Sequence, residues 1–354
     1  MTILLKILNR HLKNWVNMEK HVFVSDKSFY LESGQYLPLL TITYHTMGKL
    51  NQDRDNVVWI CHALTANSDV EEWWNDMVGK GKCFDPDYQY IICANILGSC
   101  YGSTSPLSVN PETGSYYYHD FPEITMRDIV RAHDLLCRHL SINRIHVVIG
   151  GSIGGFQALE WAIMNPDLFN NLVILASSAQ TSPWAIALNE TQRMAIEADA
   201  SFSKKTKNAG IEGMKVARSI ALISYRNYQT YLLTQEDTDS EKLSNYKACS
   251  YQRYQGEKLA KRFNAFSYYV LTKALDSHNV GRKRNGVREA LARVKAHTIV
   301  LGITTDNLFP VDEQKFIADC VPEADYFELD SKYGHDGFLI ETTKITRVLK
   351  QNLK

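Results

Sequence analysis

Apolar positions along the chain fall into short, nearly continuous runs at 37–44, 56–61, 88–94, 144–149, 171–176, 297–302 and 326–330, each of strand length. The runs around Val147, Val173 and Ile299 are almost wholly apolar, which is how strands covered on both faces read. Helical periodicity at 124–140 and 154–165 falls between such runs. Alternation of this kind predicts an α/β class, a mostly parallel sheet with helices on both faces.

Between about 181 and 293 the pattern changes. Gln, Lys, Arg, Tyr and Ala dominate, strand runs vanish, and amphipathic stretches such as 213–225 and 257–275 replace them. The span predicts an all-helical insertion. Because an apolar strand run follows at 297–302, the sheet resumes beyond it, and the insertion is expected over the sheet's carboxyl edge as a lid. The core is then 29–180 with 294–354, the lid 181–293, and 1–28 an N-terminal extension. The first 18 residues carry Lys6, Arg10, His11 and Lys13 among short apolar pieces, without the continuous apolar core of a signal peptide. They read as an appended segment, with Met18 as an alternative start of translation.

Composition narrows the function classes. With 354 residues, 45% hydrophobic and 22% charged, the chain has the makings of a large core, which argues against disorder. Lys+Arg and Asp+Glu number 39 each, so no net field favours nucleic acid or an anionic membrane. No apolar run approaches the ~20 residues that cross a bilayer. The densest basic run, Arg282-Lys-Arg284 with Arg288, reads as a solvated loop. Seven cysteines, an odd number without C-x-x-C pairs, argue against a disulfide framework or a zinc knuckle and read as reduced residues of a cytoplasmic protein.

Chemistry enters at Ile145-His-Val-Val-Ile-Gly150-Gly-Ser152-Ile-Gly154-Gly, which reads as strand, sharp turn and helix with a serine at the apex. Such a nucleophile elbow exposes the serine at the top of a parallel sheet, with the helix N-terminus beside it. A serine hydroxyl needs an imidazole base, and the base needs a carboxylate to fix its tautomer. Asp306 follows the strand run at 297–302, and His335 follows the one at 326–330. Ser152, Asp306 and His335 therefore occur in the order that elbow enzymes use. One oxyanion donor is expected at the N–H of Ile153, directly after the nucleophile, and a second in the loop His62-Ala-Leu64-Thr65. His62 itself reads as a packing or hydrogen-bonding residue. Gly98-Ser-Cys100-Tyr-Gly102 imitates an elbow, but Pro106, Pro111 and Gly114 exclude a following helix, so Cys100 reads as part of a structural or substrate-lining loop.

Taken together, these residues resemble the homoserine O-acetyltransferase family, acyltransferases of the α/β-hydrolase fold that serve methionine biosynthesis. The resemblance runs from about Phe29 to the C-terminus. It rests on Cys61-His-Ala-Leu-Thr65, Ala94-Asn-Ile-Leu-Gly-Ser-Cys-Tyr-Gly-Ser-Thr104, Gly150-Gly-Ser-Ile-Gly-Gly155, Arg253-Tyr-Gln-Gly256, Leu271-Thr-Lys-Ala-Leu-Asp276 and Tyr333-Gly-His-Asp-Gly337. It implies Ser152 as acyl nucleophile, His335 as base, Asp306 as orienting acid, and the Leu64 and Ile153 N–H groups as oxyanion donors. It further implies that Arg218 pairs with the carboxylate of an amino-acid acceptor, that Tyr225 lines the same pocket, and that Asp336 takes the ammonium. A zwitterion needs one cation and one anion at fixed separation, and positions 218 and 225 share a helix face. Ile153 stands where the family more often has methionine, and Ser105 where it usually has glycine.

The implied reaction moves the acetyl group of acetyl-CoA, a co-substrate rather than a bound cofactor, to L-homoserine through an acetyl-Ser152 intermediate. No metal, nucleic acid or membrane is implied, and a homodimer through the lid is. A homoserine O-succinyltransferase, a serine O-acetyltransferase, or a serine esterase or thioesterase of the same fold would use the same elbow. A catalytically silent binding protein is disfavoured by the intact Ser, Asp, His order.

Overall fold

The computed structural model describes residues 18–354, so the expectation of an appended segment over 1–17 lies outside the described residues. The strands in chain order are β1 Glu19–Val24, β2 Phe29–Tyr30, β3 Tyr36–Leu37, β4 Thr41–Met47, β5 Val57–Cys61, β6 Tyr90–Ala94, β7 Ile145–Gly151, β8 Phe169–Leu175, β9 His297–Ile303 and β10 Ala324–Leu329. Eight of them form one sheet in the order β1-β4-β6-β5-β7-β8-β9-β10. β4 pairs antiparallel with both β1 and β6, and every pairing from β6 to β10 is parallel.

Near-continuous apolar strands arise here because both faces are covered. Trp59 and Cys61 enter one core while Val58 and Ile60 enter the other, and Leu172 and Ile174 alternate with Val173 and Leu175 in the same way. Each large apolar side chain so buried contributes roughly 1.5–3 kcal/mol relative to exposure. Trp59 meets Trp161 of the helix Ile153–Met164 edge-on, with ring centroids 4.9 Å apart. The helix Met126–His139 starts where Thr125 and Asp128 form a reciprocal capping box, close to the predicted 124–140.

Three boundaries differ from the sequence reading. The run at 37–44 is divided between β3 and β4 around Pro38, which lacks the N–H a continuous strand would need. The helical pattern at 257–275 is two helices, Lys247–Ala260 and Ala265–Asp276, because the Asn264 side chain accepts the N–H groups of Phe266 and Ser267 and starts a new one. β1 carries charged residues and the exposed Val22 and Val24 at the sheet edge, so its apolar pattern is weak.

Between β8 and β9 lie the helices Pro183–Glu197, Ile211–Tyr225, Tyr228–Gln235, Lys247–Ala260, Ala265–Asp276 and Val287–Leu291. The chain enters and leaves the span holding the first five of them side by side. Gln180 bridges Asn279, Thr181 N–H donates to the His278 carbonyl, and Val280 N–H donates to the Ala179 carbonyl, both at 3.0 Å.

The basic run around the last of these helices corrects the solvated-loop reading. Arg284 is turned inward and donates to Glu160 at 2.5 and 2.9 Å, Arg127 reaches the same carboxylate at 3.0 Å, and Arg282 and Arg127 both hold Glu32. The physical reason is Glu160, only 1% exposed on the helix Ile153–Met164, whose charge is tolerable there because two guanidinium groups meet it. Only Lys283 and Arg288 remain exposed. Glu160→Ala leaves the largely buried Arg284 without a carboxylate and Arg127 with Glu32 alone, and is expected to lower unfolding free energy by about 3–5 kcal/mol, measured by urea titration.

Candidate active site

The turn between β7 and the helix Ile153–Met164 is tight because its glycines touch backbone. A Cβ on Gly154 would stand 2.1 Å from the Cys61 carbonyl oxygen of β5, and one on Gly150 would stand 2.2 Å from Gly154. With the helix drawn in so closely, Ser152 is forced to φ +58° and ψ −128°, a conformation that a serine adopts only when its surroundings hold it. They do so from both sides. Ser152 N–H donates to the Leu175 carbonyl at 3.0 Å, and the Ser177 hydroxyl donates to the Ser152 carbonyl at 2.8 Å.

β9 ends at Ile303 and delivers Asp306. One carboxylate oxygen accepts the N–H groups of Leu308 and Phe309 at 2.8 and 3.0 Å, and the other accepts His335 Nδ1–H at 2.7 Å. That bond leaves Nε2 as the imidazole's basic nitrogen. The His335 ring is buried among Tyr225, Phe309 and Phe338. Burial pulls its pKa down, but the charge and hydrogen bond of Asp306, with the charge of Asp336, more than reverse this and leave it above the usual histidine value. The turn bearing His335 is held by Gly334 N–H donating to Thr305 Oγ1 and by the Thr230 hydroxyl donating to the Lys332 carbonyl.

A cavity of about 570 Å³ is lined by Ser152, His335, Leu64, Arg218, Tyr225 and Asp336. Six of the eight residues singled out from sequence thus meet in one space. Asp306 stands behind His335, and Ile153 is fully buried at the helix start. Among the described residues, neither Leu64 N–H nor Ile153 N–H donates a hydrogen bond to protein. Arg218 lies over the Tyr225 ring, 5.4 Å from its centroid, as a shared helix face requires. Arg218 has no ion-pair partner among the described residues, whereas Asp336 stands 2.9 Å from Arg226 Nε. Burial raises the Asp336 pKa, with Arg226, Arg218 and His335 acting against it.

His62 is fully buried. Its Nδ1–H donates to the Ala63 carbonyl at 2.8 Å and its Nε2 accepts the Ile96 N–H at 3.0 Å, so it shapes the loop that carries Leu64. Burial pushes its pKa down to about 4, and it stays neutral. Cys100 lines neighbouring cavities and not the one holding Ser152, and burial pushes its thiol up to about 11. Sequence reasoning missed Arg226, Lys258, Arg262 and Trp73 near or in the cavity wall. Arg226 follows Tyr225 directly but falls off the face shared by 218 and 225, and nothing in the local pattern distinguishes it.

A family model described as the alpha/beta hydrolase fold matches residues 56–342. A homoserine O-acetyltransferase of Cyclobacterium marinum is 47% identical over 335 residues, 95% of each chain. The chain belongs to the homoserine O-acetyltransferase family. Among solved structures, a homoserine O-acetyltransferase from Staphylococcus aureus aligns with a TM-score of 0.78 at 27% identity, covering 94% of this chain and 95% of its own. An acetylester hydrolase from Corynebacterium glutamicum aligns at 0.82 with 23% identity over 95% of each chain, which shows a shared fold. Ser105 fits its turn because its hydroxyl accepts the Leu107 N–H at 3.3 Å.

The raised His335 pKa fixes the sign of the pH response. With His335 as the proposed base, imidazolium cannot accept the serine proton, so acylation is expected to fall as pH drops through a midpoint above 6.5, the ordinary value. Asp306→Asn leaves burial as the dominant influence, so the midpoint is expected below 6.5 and the rate on the order of 10⁴-fold lower, read from kcat/KM against pH.

Proposed function

We propose that this chain transfers the acetyl group of acetyl-CoA to the side-chain hydroxyl of L-homoserine in two half-reactions. In the first, His335 Nε2 takes the Ser152 hydroxyl proton as Oγ attacks the thioester carbonyl. The oxyanion rests on the Leu64 and Ile153 N–H groups, and collapse breaks the carbon–sulfur bond, with the proton passing from His335 to the departing thiolate. Acetyl-Ser152 remains and CoA leaves. In the second, Arg218 holds the carboxylate of homoserine and Asp336, one of whose oxygens stands 2.9 Å from Arg226 Nε, offers the other to its ammonium group. His335 takes the homoserine hydroxyl proton, the oxygen attacks the acetyl carbonyl, and the proton returns to Ser152 as O-acetyl-L-homoserine departs.

The observation that carries this reading is Arg218, a guanidinium without an ion-pair partner that lines the same cavity as Ser152. An esterase needs only the nucleophile, base and oxyanion donors. A fixed cation beside a fixed anion suits a zwitterionic acceptor and gives it an advantage over water. The helices between β8 and β9 would act as the lid over 181–293, supplying that acceptor site and limiting solvent. Their exposed Trp184, Met194, Val216, Ile223, Tyr228 and Leu233 suit a homodimer formed through this segment. The cytoplasm is the compartment where its proposed substrates meet.

Intact-mass analysis after mixing with acetyl-CoA is expected to show an acetyl adduct that L-homoserine discharges. Ser152→Ala is expected to abolish the adduct and to lower turnover by at least about 10³-fold. CoA release at equal rates with and without homoserine would instead identify a hydrolase. A panel of succinyl-CoA against acetyl-CoA and L-serine against L-homoserine, read by thiol release, decides donor and acceptor. Light scattering on the eluting peak is expected to give a dimer mass at micromolar concentration, and a monomer mass would remove the dimer from this proposal.

A further inference from the structure

Arg262 belongs to two cavities at once. It lines the one that holds Ser152, together with Lys258, and it lines a neighbouring space of about 330 Å³ with Lys207, Lys261, Asn264 and Cys100. Lys207, Lys258, Lys261 and Arg262 are all exposed, and none has an ion-pair partner among the described residues. Other lysines of the same helical segment are neutralised. Lys205 pairs with Asp120 at 2.5 Å, and Lys215 with Glu212 and Glu257 at 2.8 and 2.9 Å.

Four cations without ion-pair partners around two adjoining cavities stand out in a chain whose acidic and basic residues are equal in number. Held together they repel one another, and they focus a positive field on the cleft between them. Two carboxylates, Glu72 and Asp336, share the wall of the Ser152 cavity. Asp336 is paired with Arg226, and Glu72, which accepts a hydrogen bond from the neutral Asn67 amide, keeps its charge, so one carboxylate offsets part of the cluster and its balance stays positive. Arg262 directs its own donors to uncharged oxygens, the Thr65 carbonyl and the Tyr101 hydroxyl, the latter at 2.6 Å. Its guanidinium charge is therefore available to a ligand, and its position is tied to the loop that carries Leu64.

We propose that Lys207, Lys258, Lys261 and Arg262 form the phosphate site of the acyl donor, holding the 3′-phosphate and diphosphate of its nucleotide while the thioester arm reaches Ser152. The assignment rests on acetyl-CoA being the donor. The cavity around Ser152 suits a narrow acyl-pantetheine arm, and the nucleotide stays at the rim. Lysines act there as point charges that accept phosphate from several directions, and Arg262 ties nucleotide binding to the oxyanion loop. The phosphate cluster raises the local concentration of the donor and sets its reach. The acetyl group is recognised separately, at Ser152.

The test uses the full-length enzyme and the variant Lys207→Ala/Lys258→Ala/Lys261→Ala, whose three side chains are exposed. Two readouts are taken. Calorimetric titration with 3′,5′-ADP, which carries nucleotide phosphates and no thioester, is expected to show binding weakened by about tenfold or more. The ratio of kcat/KM for acetyl-CoA to that for S-acetylpantetheine is expected to fall by a similar factor, and the wild-type ratio is expected to fall as potassium chloride rises. Equal affinity of both proteins for 3′,5′-ADP, or an unaltered donor ratio, would overturn the assignment. Wild-type enzyme that binds 3′,5′-ADP through these lysines yet acetylates nothing would leave the phosphate site standing and bring down the acyl-transfer reading alone.

Discussion

The chemistry of this molecule depends on one close approach of backbone to backbone. The helix Ile153–Met164 lies so near β5 that position 154 has no room for any side chain beside the Cys61 carbonyl. That contact bends the chain at Ser152 into a conformation of positive φ, and the cost is offset by hydrogen bonds from β8 and from Ser177. It also brings the free N–H at the helix start near the loop after β5. Ser152 and the N–H groups proposed as oxyanion donors are consequently placed by the same packing.

The second determinant is electrostatic. Asp306 spends every accepting direction used here on two backbone N–H groups and one imidazole, so its negative charge is fixed in orientation and held within a buried site. Low polarizability of the surroundings makes that charge effective on His335. Arg218 and Asp336 lie further out, where their charges face the cavity. The site thus grades from a buried imidazole–carboxylate pair at its floor to charged groups at its wall.

Much of this was legible in the chain. The elbow could be read because glycine spacing, a β-branched run and a helical run all agree at 145–165, and the apolar strands before Ser152 and Asp306 announce themselves, while the one before His335 is short and carries Asp325 and Glu328. Arg218 and Tyr225 were reachable through the family pattern and their shared helix face. What the chain did not announce has physical reasons. Arg282 and Arg284 look like surface charge because the buried carboxylate that receives Arg284, Glu160, lies more than a hundred positions away. Arg226 and Arg262 act through partners on other elements, and linear spacing carries no trace of such pairings. The edge strand β1 is polar on a scale that periodicity does not separate from a loop.

The stem at Ala179–Thr181 and His278–Val280 ties together the two chain ends of the first five helices between β8 and β9. A module joined at a single neck is open to wholesale exchange during evolution. Its helices can be recut for a different acceptor while the elbow beneath keeps its packing, provided that the neck and the turn against Gly334 are preserved. Acceptor diversity on a constant nucleophile is the evolutionary behaviour this architecture makes easy.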